Sequence, residues 1–205
     1  MDKAAFFAAI GQGNELKVFE LLKQSPGLIA SRLEGISPVL YACYQGQPAL
    51  ARELAAKVDL DIWEAAALDD VHAIQRVLAE NGALVSLLAR DGFSPLHLAA
   101  FFGAPAALKW LLGAGAEVNQ SAANDAKVQP LHSAVANSDR ESRLDCTQAL
   151  LEAGAEVNAR QAGGFTALHS AYHQKDQELI ALLLAFGADT QACSDDGRLP
   201  KDLFQ

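Results

Sequence analysis

A short pattern of the Ser/Thr-Pro-Leu-His type, complete once and varied at one position in two further copies, recurs along this chain, and each copy is followed by Gly-Ala-acid, extended by Val-Asn in the first two. The fullest copy runs Asp91-Gly92-Phe93-Ser94-Pro95-Leu96-His97-Leu98-Ala99-Ala100, passes Gly103 and ends Gly113-Ala114-Gly115-Ala116-Glu117-Val118-Asn119. Partial copies give Gln129-Pro130-Leu131-His132 with Gly154-Ala155-Glu156-Val157-Asn158, and Thr166-Ala167-Leu168-His169 with Gly187-Ala188-Asp189. A tandem unit of this kind has one apolar face and only its neighbours to bury it against, so the chain is committed to a linear stack.

Each unit reads as two helices. Ser94 is an N-cap, its hydroxyl placed to accept an orphan backbone N–H, and Pro95 follows where a missing donor costs nothing. Ala99 and Ala100 keep the first helix thin enough for close approach. Pro105 after Gly103, and Pro48 after Gly46, open second helices. In these, Leu108, Leu111 and Leu112 repeat at i, i+3, i+4, as do Val18, Leu21 and Leu22, then Ile74, Val77 and Leu78, then Ile180, Leu183 and Leu184. Gly115 stops its helix by taking a left-handed conformation. Gly13, Gly46, Asp70, Gly103, Ser138 and Lys175 mark the ends of successive first helices, at steps of about 33 to 37 residues apart from one of about 24.

On these residues the chain resembles ankyrin repeat proteins. The resemblance implies an all-α ankyrin-repeat solenoid of helix-turn-helix units with short β-hairpin turns, about five repeats plus a partial C-terminal cap. It makes 1–205 one domain, with units near 1–32, 33–60, 61–89, 90–120, 121–160 and 161–192 and a cap at 193–205. The pattern is irregular. Between Leu54 and Trp63 there is no room for a projecting hairpin, and Asp61-Ile62-Trp63-Glu64 replaces the motif, with Asp61 still able to cap. Gln120–Lys127 lengthens one hairpin, and Ser138–Arg143 reads as a lengthened turn between helices. Residues 1–32 read as an N-terminal cap of two helices. Lys201 and Asp202 stand where Leu-His stands elsewhere, which reads as a polar cap at the other end.

Net charge of −9 and a pI near 4.9 exclude a phosphate-backbone ligand, which needs clustered cations. The start lacks a signal-peptide pattern and no apolar run reaches membrane-spanning length, so a cytoplasmic, monomeric protein without nucleic-acid or membrane partners is expected. Cys43, Cys146 and Cys193 are odd in number and far apart, which fits a reducing compartment better than a disulfide framework. Cys43 and Cys146 read as small buried hydrophobes and Cys193 as a hairpin residue.

His97, His132 and His169 look catalytic but occupy one motif position in successive units. The resemblance assigns each to a bond between hairpin and helix, with Gln129 replacing the hydroxyl beside His132. His169 and His173 are four apart on a helix, the spacing of a metal pair, yet no third ligand is evident. No GxSxG elbow, phosphate loop or HExxH occurs; Gly163-Gly164 reads as a hairpin tip, and Asp69-Asp70 and Asp195-Asp196 as solvated turns. No enzyme, cofactor or metal is expected. The resemblance instead implies a protein or peptide partner held on hairpin tips and the inner face of the first helices. That places Ile36, Tyr44, Gln45, Leu68, Asp69, Phe93, Phe101, Phe102, Val128, Asn137, Phe165, His173 and Gln174 on the concave binding face. Its four phenylalanines are the expected anchors, because exposed apolar patches and aromatics mark interfaces. A dedicated inhibitor or structural subunit of one partner is the alternative, and a His-based metal protein or enzyme a more distant one.

Overall fold

The computed structural model describes residues 3–204; Met1, Asp2 and Gln205, at the outer ends of the first unit and of the cap, lie outside them. Six helical pairs follow one another: α1 (Lys3–Gly11) with α2 (Glu15–Gln24), α3 (Pro38–Tyr44) with α4 (Pro48–Ala55), α5 (Ile62–Ala67) with α6 (Val71–Glu80), α7 (Pro95–Phe101) with α8 (Pro105–Gly113), α9 (Pro130–Val135) with α10 (Arg140–Glu152), and α11 (Ala167–His173) with α12 (Gln177–Ala185). First helices pack in series from α1 through α3, α5, α7, α9 and α11 to a closing 3-10 turn at Pro200–Leu203, while α6, α8, α10 and α12 form the parallel row behind them. This is the linear stack that the repeats require.

The caps explain where first helices begin. Ser37 Oγ accepts from Leu40 N–H at 3.1 Å, and Asp61 and Glu64 form a reciprocal box at 2.8 and 2.9 Å, so α5 starts without the motif. Small side chains close the seams: Ala65, Ala66, Ala99, Ala100, Ala134 and Ala171 are all fully buried. Behind them Leu54, Ile74, Leu108, Leu111, Leu150 and Leu183 are also fully buried. The apolar stripe of the second helices is narrower than the i, i+3, i+4 reading, since Leu112 is half-buried and Leu184 is 39 % exposed.

Three other readings change. The residue turning left-handed after α5 is Asp69 (φ +61°), whereas Asp70 caps α6 by accepting from Ala73 N–H; no left-handed residue falls at Ser138. Arg140 to Arg143 are not turn but the first residues of a 13-residue α10, because Asp139 caps a helix there through Ser142 N–H. Helices α2 and α6 run into 3-10 turns, Pro26–Ala30 and Gly82–Ser86, in two of the three units that lack the Gly-Ala-acid ending. In the units that have it, Gly115, Gly154 and Gly187 are left-handed and the following alanine donates back to the helix, as in Ala116 N to Leu111 O at 3.0 Å.

The chain passes from α4 to α5 through residues 56–61 with no projecting hairpin, as the spacing predicts. The remaining fingers are closed by hairpin-type bonds such as Ala89 N to Phe93 O (2.8 Å) and Gln161 N to Phe165 O (3.0 Å), without regular strands among the described residues. Adjacent tips are joined: Ala123 N donates to Gly92 O, Ala162 N to Ala126 O and Asp195 N to Gly163 O, each at 2.9 Å. The insertion at 120–127 lies within this row. Gly92 has φ +88°, and a Cβ there would meet the Ala123 carbonyl carbon at 2.8 Å. Gly92→Ala is therefore expected to cost about 1–3 kcal/mol, read as a lower urea midpoint; an unchanged midpoint would show that the tips are free to separate.

Candidate functional site

The three motif histidines are structural links with a defined tautomer. Ser94 N–H donates to His97 Nδ1 at 3.3 Å, so Nε2 carries the proton and donates to Val128 O of the next finger at 3.0 Å. Thr166 N–H and Arg198 O serve His169 in the same way, each at 3.1 Å, which occupies both ring nitrogens and leaves neither for an ion shared with His173. At His132 the backbone bond from Gln129 survives at 3.1 Å, but the side-chain amide oxygen Oε1 of Gln129 is buried without a partner, the cost of replacing the hydroxyl. Burial pushes His97 down to about 4 and lowers His132 too, so both are neutral near pH 7. No group of three or more metal-ligating side chains is gathered among the described residues.

The cysteines are free. Burial drives Cys146 up to about 12, and burial followed by the Glu64 carboxylate does the same to Cys43. Neither is a thiolate nucleophile. Cys193 is exposed. No helix among the described residues is long and apolar enough to cross a membrane.

On the first-helix side a second apolar cluster stands apart from the main core. Leu40, Ala67 and Leu98 are buried in it, and Ile36, Tyr44, Trp63, Phe93 and Phe102 pack around them. Its origin is α7 and its C-cap: Leu98, Phe101 and Phe102 stand at i, i+3 and i+4. Tyr44 and Phe102 are 5.2 Å apart between centroids, and Phe101 meets Phe102 edge-on at 5.1 Å. The Tyr44 hydroxyl donates to Asp91 Oδ2 at 2.9 Å, tying α3 to the finger two units on. A cavity of ≈ 60 Å³ opens between Tyr44, Phe93, His97, Leu98, Phe101 and Ser133. Phe101, at 41 % exposure, is its outermost wall.

Five of the thirteen residues thus converge: Ile36, Tyr44, Phe93, Phe101 and Phe102. Of the four phenylalanines only Phe101 ranks as exposed; Phe93 leans on His97, and Phe165, in a later finger, lies against His169 with the Arg198 guanidinium over its ring at 5.2 Å. Several polar members are engaged between repeats. Asp69 accepts from Ala107 N–H at 2.6 Å, the Asn137 amide donates to Phe101 O at 2.6 Å, and the Gln174 amide to Val135 O at 2.6 Å. Asn137 is buried, so its side chain is turned from the face, and Val128 presents its carbonyl to His97. Gln45 and His173 are exposed and Leu68 is half-buried. Leu40, Trp63, Asp91 and Leu98 were not among the expected site residues; the i, i+3, i+4 triplet in α7 was the available signal for Leu98.

Family models describing "Ankyrin repeats (3 copies)" match residues 5–122 and 62–161, and one describing "Ankyrin repeat" matches residues 163–195. Among curated relatives, human Protein phosphatase 1 regulatory subunit 27 is 36 % identical over 74 residues, which is 36 % of this chain and 46 % of that protein. The chicken (Gallus gallus) Nuclear factor NF-kappa-B p105 subunit is 40 % identical over 129 residues, 60 % of this chain and 12 % of the relative. Human Ankyrin repeat and SOCS box protein 16 is 31 % identical over 220 aligned residues, 85 % of this chain and 48 % of the relative. The matched stretch spans less than half the length of each of these relatives.

Proposed function

We propose, from the premise that this chain belongs to the ankyrin repeat family, that it is a non-catalytic interaction module which grips a protein or peptide partner on its concave face around Phe101. Ankyrin repeats are protein-interaction modules; the choice of face is our own reading. The observation that carries it is the exposed Phe101 ring on a rigid platform of Tyr44, Phe93, Leu98 and Phe102 beside a small apolar cavity. A ring held this way has few rotamers to lose, so an apolar partner side chain that covers it gains area at low entropic cost. Removal of an anchor of this type costs roughly 2 kcal/mol or more in binding. The histidines enter this reading as fasteners that hold the fingers against the helices.

The test is Phe101→Asp, which alters an exposed side chain and leaves the cluster beneath it in place. A photo-crosslinking amino acid at position 101 identifies the bound protein by mass spectrometry, and Phe101→Asp is expected to weaken capture of that protein about tenfold or more. Capture that is unchanged by Phe101→Asp would remove the concave face from consideration.

A further inference from the structure

Away from the concave face, α2 carries Leu16, at 88 % exposure the most exposed large apolar side chain in the described residues. Leu16, Phe19 and Lys23 stand at i, i+3 and i+7 and share one ridge. The ridge borders an open trough of ≈ 440 Å³ lined by Phe19, Leu22, Lys23, Pro26, Ile29 and Lys57. Its walls are apolar side chains and two ammonium groups, with no carboxylate among them.

The charges decide what fits. Lys57 Nζ lies over the Phe19 ring, 5.4 Å from its centroid, and neither Lys23 nor Lys57 has a carboxylate partner among the described residues. Lys17, on the same helix, is by contrast held by Glu20 at 2.9 Å. The chain as a whole carries −9, yet up to Lys57 its six Lys and Arg outnumber its five Asp and Glu. Two unneutralised cations beside an apolar trough complement a ligand that is both apolar and anionic. Lysine stems commonly cover apolar surface, but that role leaves Leu16 bare.

We propose that this trough docks an acidic amphipathic helix of a partner protein, with its apolar side chains on Leu16, Phe19 and Ile29 and its carboxylates on Lys23 and Lys57. Such a segment would lie along α2 as a helix in a groove. The site is independent of Phe101, so either surface can fail without the other.

A phage-displayed library of random peptides, panned on the full chain and depleted on the Lys23→Glu/Lys57→Glu variant, tests the assignment. Enriched sequences are expected to combine Asp or Glu with apolar residues spaced i, i+3 or i+4. The corresponding synthetic peptides should bind the unsubstituted chain about tenfold or more tighter than the charge-reversed one, and should shift the backbone amides of Leu16, Phe19, Lys23 and Lys57 while leaving Phe101 unmoved. Leu16→Ser changes a solvated side chain only, and should weaken the same peptides about tenfold even if charge reversal perturbs folding. No enrichment, enriched peptides without acids, or equal affinity for both charge forms would overturn the proposal. Amide shifts in the trough that follow protein concentration alone would assign it to a second copy of the chain, and preferential binding of phosphatidylserine vesicles would assign it to a membrane; either result also overturns it.

Discussion

Asp176→Ala is expected to cost about 3–5 kcal/mol of folding free energy, the penalty for leaving a buried charge without its partner. The Asp176 and Arg143 side chains are 3 % and 11 % exposed and meet at 2.7 Å between Oδ2 and Nη2. The other carboxylate oxygen caps α12 by accepting from Leu179 N–H at 3.1 Å, so one residue fastens α12 to α10 and starts α12 as well. Arg143 continues the chain of bonds, donating through Nη1 to Asn137 O at 2.8 Å, and the Asn137 amide reaches Phe101 O. Arg143 Nε already lacks a partner. Without the carboxylate the guanidinium would be stranded between two helical pairs.

The titration of Asp176 agrees in sign. Burial pushes the carboxyl up, but the Leu179 N–H and the Arg143 and Arg140 guanidiniums outweigh it and hold the group below the usual carboxylate range. A depressed carboxylate contributes stability that is present above its unfolded value and lost as pH falls through the folded one. Urea unfolding of Asp176→Ala measures the loss, and a loss under about 1 kcal/mol would show that the pair does no more than a surface salt bridge. The double variant Arg143→Met/Asp176→Leu removes both charges and should recover the ion-pair part of the loss, since an apolar pair of similar volume is often no worse than a buried ion pair, while the cap on Leu179 N–H, about 1 kcal/mol, stays lost.

The stack was legible in sequence because its determinants are local. Ser94-Pro95 fixes a helix start, Gly115 a helix stop and Ala99-Ala100 a close seam, each through a few adjacent residues. The missing finger was legible as well, from the short distance between Leu54 and Trp63. The start of α10 was not: Ser138 to Arg143 look like turn residues by composition, and what makes Arg140 to Arg143 helical is Asp139 as cap together with the burial of Arg143 against Asp176, 33 residues away. The candidate site was legible in part for the same reason. The α7 triplet could be read from spacing, but Tyr44 reaches Asp91 across 47 residues, past a unit that lacks a finger, and no local pattern carries that contact. Asn137 and Gln174 look like surface amides until the neighbouring helix ends, with carbonyls to satisfy, are set beside them.

Acidification should loosen the fingers before it disturbs the helices. His97 is completely buried and neutral, with burial holding it at about 4, well below the 6.5 of an ordinary histidine. The unfolded chain therefore binds a proton that the folded chain refuses throughout that window, and stability present above pH 6.5 is lost as pH falls toward 4. For a histidine displaced that far the loss is on the order of 3 kcal/mol, and His132, lowered in the same direction by burial, adds to it. Asp61 and Glu64 act the other way, because burial raises both and their protonation favours the folded state. His97→Gln separates these contributions. Near pH 7.5 it should be about 1–3 kcal/mol less stable, since Val128 O and the Ser94 cap lose a fitted partner, and below pH 6.5 its urea midpoint should fall less steeply than that of the unsubstituted chain. Hydrogen exchange should place the acid-induced opening at residues 122–129, where Val128 O meets His97 and Ala122 N meets Val128 O. Equal slopes for the two proteins would mean that the proton enters elsewhere, and the link from helix α7 to the next finger would then not be the acid-sensitive joint.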